Sequence, residues 1–406
     1  MITLIADDLT GASDAAAPFA RRGLATHVVF ELVEPPATAQ VQVLAVDSDT
    51  RGLPPTAAHR RVREVADRLS GLRPELVYKK VDSTLRGNLG AEVEPVMDAF
   101  DFRLAVVAPA FPRMGRTTRH GVHHLHGRAV HQTEIGRDPH APVRESNIVQ
   151  LLQSTSRRKP ALVSLETVQR GSPAIRAAVE DLERSGASLI VFDAEDERAL
   201  RSVVDALAHR RDVLWVGSAG LAEHVAERLA PPPLAQPAPF LEASHGPILV
   251  VAGSASEVTR RQLAALAARP GVAMITIHPT SLAGARDSSA ALNAGLDCAL
   301  AIDQCTNHVT DPARLADQLA AIAAEIAQQQ RPGGLILTGG ATAHAVCRHL
   351  AVNGMRLLAE VEPGVPMGAL VGGPLSGTPV VTKAGAFGSE RTLLHALDQL
   401  KGEQVR

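Results

Sequence analysis

Met1-Ile2-Thr3-Leu4-Ile5-Ala6-Asp7-Asp8-Leu9-Thr10-Gly11-Ala12 opens the chain with an apolar run, two adjacent carboxylates and a stretch of small residues. The run reads as a strand, and the aspartates stand at its tip, ahead of a predicted helix. One aspartate can cap that helix through its side-chain oxygen. The other is then left over, and a carboxylate there can accept hydrogen bonds from sugar hydroxyls or take a proton from an attacking alcohol. A strand leading straight into a helix is the repeating unit of a parallel sheet.

Working outward, the same alternation continues. Strands are predicted over 3–6, 26–30, 41–46, 76–79, 104–108, 161–165, 189–192 and 213–216, with helical spacing over 59–69 and 174–184. Prolines 231, 232, 233, 237, 239 and 247 interrupt the rhythm, because proline lacks the N–H a ladder needs and breaks helices. Strands are expected again over 248–252, 273–277, 335–337 and 380–382. The fold class expected is α/β with two domains, each a mostly parallel sheet flanked by helices. The boundaries expected are 1–230, a Pro-rich linker over 231–246, and 247–406.

Composition agrees with two cores, since 406 residues exceed the usual size of one domain. The chain is 45% hydrophobic but only 2% aromatic, so Ala, Val, Leu and Ile must fill those cores. A net charge of −2 from well-spread charges offers no field for polyanions, and scarce aromatics remove the stacking platforms single strands favour. No nucleic-acid partner is expected. No basic leader or apolar run near the ~18 residues of a membrane span is visible, so a cytoplasmic protein without a membrane partner is expected. Cys298, Cys305 and Cys347 show no CxxC spacing and read as reduced bystanders.

Four predicted strand ends run into glycine-containing turns: Gly217-Ser218-Ala219-Gly220, Gly253-Ser254-Ala255-Ser256, Gly339-Gly340-Ala341-Thr342 and Gly385-Ala386-Phe387-Gly388. Such turns aim helix N–H groups into a crevice and suit phosphate, although any single one also serves as a plain connection. Three fall in the second domain. Neither a G-x-x-x-x-G-K-[ST] nor a G-x-G-x-x-G stretch is present, so a nucleotide needs another cradle. Ser254, Ser256, Thr338, Thr342 and Lys383 offer hydroxyls and a positive charge beside these turns.

In the first domain, Asp47-Ser48-Asp49-Thr50-Arg51-Gly52 and Lys79-Lys80-Val81-Asp82-Ser83-Thr84-Leu85-Arg86-Gly87-Asn88 follow two further strands. Arg51, Lys80 and Arg86 are suited to grip a carboxylate, and the adjacent lysines read as convergent donors. A solvated polar loop is the plainer alternative. His123, His124, His126 and His131 fall in a predicted hairpin after Pro109-Ala110-Phe111-Pro112-Arg113, without a metal-ligand spacing, so no metal site is assigned to the chain.

Taken in order, Ala6-Asp7-Asp8-Leu9-Thr10-Gly11-Ala12, the 80–88 stretch, Pro109-Ala110-Phe111-Pro112, Gly217-Ser218-Ala219-Gly220-Leu221, Gly253-Ser254-Ala255-Ser256, Thr338-Gly339-Gly340-Ala341-Thr342-Ala343 and Lys383-Ala384-Gly385-Ala386-Phe387-Gly388 resemble the four-carbon acid-sugar kinase family over nearly the whole length. The resemblance implies ATP-dependent phosphorylation, with Mg2+, of the terminal (C4) hydroxyl of a sugar acid. D-threonate is the first expectation, then D-erythronate or a 3-oxo-tetronate. It also implies substrate contacts at Asp7, Asp8, Arg51, Lys80, Val81, Asp82, Ser83 and Arg86, and ATP contacts at Ser254, Gly339, Gly340, Ala341, Thr342 and Gly385. Asp8 or Asp82 is expected to accept the hydroxyl proton. A homodimer is the default assembly.

Two other readings stand beside it. Asp47-Ser48-Asp49-Thr50 approaches the D-x-D-x-[TV] motif of aspartyl-phosphate sugar phosphatases, with the threonine one position early. A non-catalytic sugar-acid sensor is the other, although no helix-turn-helix or basic stripe carries an output.

Overall fold

A computed structural model describes residues 1–30, 41–138, 141–232, 244, 246–254, 256–277, 285–302, 312–385 and 387–402. The chain divides into two compact units, Met1–Thr26 with Leu32–Ala235, and His27–Glu31 with Gln236–Arg406. Residues His27–Glu31 thus belong with the second unit, where Phe30 N donates to Asn353 O at 3.0 Å. Apart from residues 231, 232, 244 and 246, the expected Pro-rich linker lies outside the described residues.

The first unit alternates as its sequence predicts. In chain order come β1 (Ile2–Ala6), α1 (Leu9–Arg21), β2 (Thr26–Val29), of which all but Thr26 belongs to the second unit, β3 (Val43–Asp47), α2 (Pro55–Ser70), β4 (Leu76–Lys80), α3 (Leu89–Ala99) and β5 (Leu104–Ala108). A small antiparallel sheet follows, of β6 (Arg116–Arg119), β7 (Val122–Leu125) and β8 (Arg128–Ala129). Then come α4 (Ile148–Thr155), β9 (Pro160–Val163), α5 (Leu165–Gln169), α6 (Ser172–Arg184), β10 (Leu189–Phe192), α7 (Glu197–Leu207), β11 (Val213–Gly217) and α8 (Ala219–Leu229). The main sheet runs β3-β1-β4-β11-β5-β10-β9, every pairing parallel.

Strands β1, β3, β4, β5 and β11 are buried at every position, which is why they read as mostly apolar runs, with charged residues only at the carboxyl ends of β3 and β4. The helices cover them with one face each. In α2 the buried residues Ala58, Val62, Val65, Ala66 and Leu69 recur at helical spacing, and Pro55 sits at its first turn, where the missing N–H costs nothing. The strand expected over 161–165 stops at Val163, because Ser164 caps α5 by accepting from Thr167 N.

In the second unit are β12 (Ile248–Ala252), α9 (Glu257–Ala267), β13 (Val272–Ile277), α10 (Ala285–Asn293), β14 (Asp297–Ile302), α11 (Pro312–Gln330), β15 (Gly334–Thr338), α12 (Gly340–His349), β16 (Gly354–Glu362), β17 (Val365–Val371), β18 (Pro379–Lys383) and α13 (Thr392–Leu400). Strands β13-β14-β12-β15-β18 are parallel, whereas β17 pairs antiparallel with β18 and β16 antiparallel with β17. This sheet is therefore mixed, and β14, β16 and β17 are additions to the predicted strands. Ile248, Val250, Leu266, Ile336, Val381, Leu393 and Leu397 form the centre of its core. No helix among the described residues is long and apolar enough to cross a membrane.

Candidate active site

Within each unit the sheet reverses its strand order once, and that unit's own polar loops meet there. In the first unit β1 lies between β3 and β4, so the segments leaving all three arrive side by side at their carboxyl ends. They carry Asp7 and Asp8, Arg51, and Lys80 with Asp82. The backbone ties the first two segments together, since Thr50 N and Arg51 N both donate to Asp7 O, at 3.0 and 3.2 Å. Asn88 holds the same turn, its Nδ2 donating to Thr50 O at 3.2 Å and Leu53 O at 2.8 Å.

Arg51 is the hub. Its Nε and one terminal nitrogen donate to Asp7 at 2.7 and 3.1 Å, and its two terminal nitrogens donate to Asp8 at 2.7 and 2.6 Å. Asp8 also accepts from Gly11 N at 2.9 Å and caps α1. Burial alone would push the Asp7 carboxyl up, but Arg51 and Lys80 reverse the sign and hold it below the ordinary carboxylate range. Asp7, Asp8 and Asp82 in turn raise Arg51, against the effect of its own burial.

Asp82 is held in the same way by its own turn. It accepts from the Thr84 hydroxyl, from Thr84 N at 3.2 Å, and from Arg86 Nε and NH2 at 2.9 and 3.1 Å. Burial again opposes ionisation, and Arg86 with Arg51 overrides it, leaving Asp82 well below the usual range. Behind this turn, buried His123 bridges Ser83 O and Thr118 Oγ1, each at 2.9 Å. A carbonyl can only accept, so Nε2 carries the proton and Nδ1 accepts from Thr118. Burial lowers His123 to about 4, which keeps it neutral. The expected hairpin is β6–β7, but its His123 supports the substrate loop from behind, and His131 bonds Ser146 Oγ at 2.8 Å.

The adjacent lysines do not converge, a correction to the sequence reading. Successive strand residues face opposite sides of a sheet. Lys79 is fully buried, with Nζ 2.8 Å from Glu92 Oε2 of α3 and donating to Lys80 O at 2.9 Å. Lys80 turns towards the aspartates: a Cβ added at Gly11 would stand 2.6 Å from Lys80 Nζ and 2.5 Å from Asp8 Oδ1, so only glycine fits there. Lys80 is 4% exposed, and its Nζ donates no hydrogen bond to any described residue. The Ser83 hydroxyl likewise has no partner among them. Val81 contributes backbone, its N donating to Gly217 O at 2.9 Å.

Asp47 builds a turn, its Oδ1 accepting from Asp49 N at 2.8 Å, while Ser48 Oγ donates to Ala6 O at 2.6 Å. The loop at 217–220 is structural as well. Ser218 caps α8 and donates to Ala110 O at 2.9 Å, and its carbonyl accepts from Tyr78 Oη at 2.6 Å.

In the second unit the reversal lies between β12 and β15, where the 253–254, 339–342 and 383–385 segments meet. Gly385 O accepts from Ser256 Oγ at 2.7 Å, Thr259 Oγ1 at 2.9 Å and Lys383 Nζ at 3.3 Å. Lys383 Nζ also donates to Thr338 Oγ1 at 3.1 Å and Ala384 O at 3.0 Å, all neutral acceptors. Burial lowers it to about 8. A Cβ at Gly385 would lie 1.8 Å from Ser254 Oγ, so the two loops touch only because the residue is glycine. Helix α12 begins at Gly339 without a side-chain cap, which leaves its first N–H groups for another acceptor. This set of backbone donors beside a cation fits a phosphate chain. Among the described residues no group of three or more His, Cys, Asp or Glu is placed to hold a metal ion.

A sugar-binding N-terminal domain model matches residues 2–225 and a nucleotide-binding C-terminal domain model matches residues 249–393. The chain is 39% identical to a D-threonate kinase of Cupriavidus necator, over 97% of this chain and 96% of that one. The chain belongs to the four-carbon acid-sugar kinase family. A D-erythronate kinase of Heliobacterium modesticaldum is 31% identical over 98% and 97% of the two chains. A crystallised Haemophilus influenzae protein shares the fold, with a TM-score of 0.80 and 22% identity over 98% of this chain and all of that one. For a four-carbon acid-sugar kinase, the residues that sequence reasoning passed over are His123 and Asp14. His123 stood out only as one of a histidine group, and Asp14 carried no signal beyond its place on α1.

Proposed function

We propose that the chain is an ATP-dependent kinase that phosphorylates the C4 hydroxyl of a four-carbon sugar acid, D-threonate first, then D-erythronate or a 3-oxo-tetronate. The observation that carries this reading is Lys80, a buried cation among engaged carboxylates whose own donors meet no acceptor among the described residues. Such a group suits the carboxylate of a small polyol acid, and the relatives' activities point the same way.

In this reading Lys80 and Ser83 bind the acid, with Val81 supplying backbone. Arg51 and Arg86 fix Asp7, Asp8 and Asp82 so that these carboxylates accept from the substrate's hydroxyls. Ser254, Gly339, Gly340, Ala341, Thr342 and Gly385 receive ATP, with Lys383 holding the cradle rigid. Mg2+ bound together with the nucleotide would supply charge compensation for the phosphates, with no described carboxylate cluster required to hold it. The C4 oxygen bonds to the γ-phosphorus as the bond to the bridging oxygen breaks, and its proton passes to Asp8. The protein's contribution is positioning and charge compensation.

The test is ADP release with D-threonate, D-erythronate, L-threonate and 3-oxo-tetronates at matched concentrations. ADP formation with one or more is expected. Its absence with every acid overturns the reading. The phosphatase alternative predicts phosphate release from a sugar phosphate without ATP, and Asp47's role in its turn disfavours it.

A further inference from the structure

Asp14 is the one carboxylate of the first site that the catalytic reading leaves without work. It lies on α1, three residues after Gly11, hence one turn along the same helix face. That face is where Lys80 Nζ fills the space of the absent Gly11 side chain. Asp14 Oδ1 is sealed from solvent and has no hydrogen-bond partner among the described residues. A buried acceptor without a described partner, in the field of a cation whose donors meet no described residue, needs a reason.

The other carboxylates cannot answer Lys80 in the same way. Asp7 and Asp8 are gripped by Arg51, and Asp82 by Arg86. The charges acting on Asp14 are Lys80 and Arg51, which favour its ionised form, and Asp8 and Asp82, which oppose it. Helix α8, packed on α1, sends Glu223 to Arg21 at the far end of α1.

We propose that Asp14 is a positioning residue for Lys80 that answers substrate binding: ionised, it balances the charge of Lys80 through space in the empty site, and it takes up a proton when the sugar acid's carboxylate binds Lys80. The proton comes from solvent, and no other bond changes. This rests on the sugar-acid reading of the site. Burial holds the carboxyl of Asp14 at about 7, so the uptake falls in the physiological range. A second anion at Lys80 raises that value further, which is the sign required for proton uptake on binding. By linkage, affinity falls as pH rises.

The experiment is calorimetric titration of D-threonate, D-erythronate and L-threonate, without ATP, at pH 6.5, 7.5 and 8.5. Phosphate and Tris buffers separate proton uptake from binding heat. The wild-type protein should take up a substantial fraction of a proton at pH 7.5. It should bind roughly ten- to thirtyfold more weakly at pH 8.5 than at pH 6.5. D14N and D14A should bind without proton uptake and with a flat pH profile, and D14E should restore the slope. Uptake that persists in D14N, no uptake by the wild type, or no binding of any acid at pH 6.5 overturns the proposal. ADP release is assayed on the same samples. Its absence with proton-linked binding intact refutes the kinase reading alone.

Discussion

Replacing Lys79 by methionine removes an ammonium and keeps most of the stem, and the same change one residue later at Lys80 is chemically identical. The structure nevertheless assigns them opposite consequences. Lys79 is fully buried and Glu92 is 1% exposed, their charged atoms 2.8 Å apart. Removing one member of such a pair strands the other charge and costs about 3–5 kcal/mol, with the lost bond to Lys80 O adding roughly 1 kcal/mol. K79M should therefore destabilise the first unit by about 4 kcal/mol. The double variant K79M/E92L, which removes both charges, should recover most of that loss. Lys80 donates no hydrogen bond to any described residue, so K80M should act on the ligand. Loss of one charge-assisted contact, about 1.5–3 kcal/mol, raises KM for the sugar acid by roughly 10- to 100-fold. Urea unfolding followed by Trp215 reads the first unit directly, since it is the chain's one tryptophan, lies on β11 beside β4 and is 2% exposed. K79M within 1 kcal/mol of wild type, or K80M with an unchanged KM, would refute the assignment of the two faces.

Two further outcomes follow from the same accounting. G385A places a methyl 1.8 Å from Ser254 Oγ and 2.7 Å from its Cβ. It should raise KM for ATP at least about tenfold at an overpacking cost of about 1–3 kcal/mol, with KM for the acid little changed; equal effects on both constants would remove Gly385 from the nucleotide cradle. His123 is held at about 4, below its unfolded value of 6.5, so the unfolded chain binds the proton first. Stability present above pH 6.5 is then lost as pH falls towards 4, by about 3 kcal/mol, and H123Q should flatten that part of the profile in Trp215-monitored unfolding.

Much of this site was legible because the signals are local. An apolar run ending in Asp7-Asp8 announces a strand and a capped helix, and the 80–88 stretch shows its density of donors as plain text. Strand β16 escaped because it lacks a continuous apolar run: it carries Arg356, Glu360 and Glu362 and is buried at only three of its nine positions. Strand β17 is apolar throughout, but Pro366 and Gly368 inside it read against a strand. The loop at 217–220 has the same letters as the nucleotide loops, yet its hydroxyl and carbonyl are taken by Ala110 and Tyr78. Local chemistry proposes a site, and tertiary packing decides which donors remain unused.

That decision falls between neighbours. Lys79 and Lys80 carry one side chain, and the two-residue period of β4 sends the first to Glu92 and the second to Asp7, Asp8 and Asp14. Arg51, the residue whose planar fork best suited it to a substrate carboxylate, is occupied on both edges by Asp7 and Asp8. The cation with unused donors is the less specific lysine. Recognition of the acid by Lys80 therefore depends on how the aspartates around it are charged, and Asp14, alone among them without a guanidinium partner, is the carboxylate able to change.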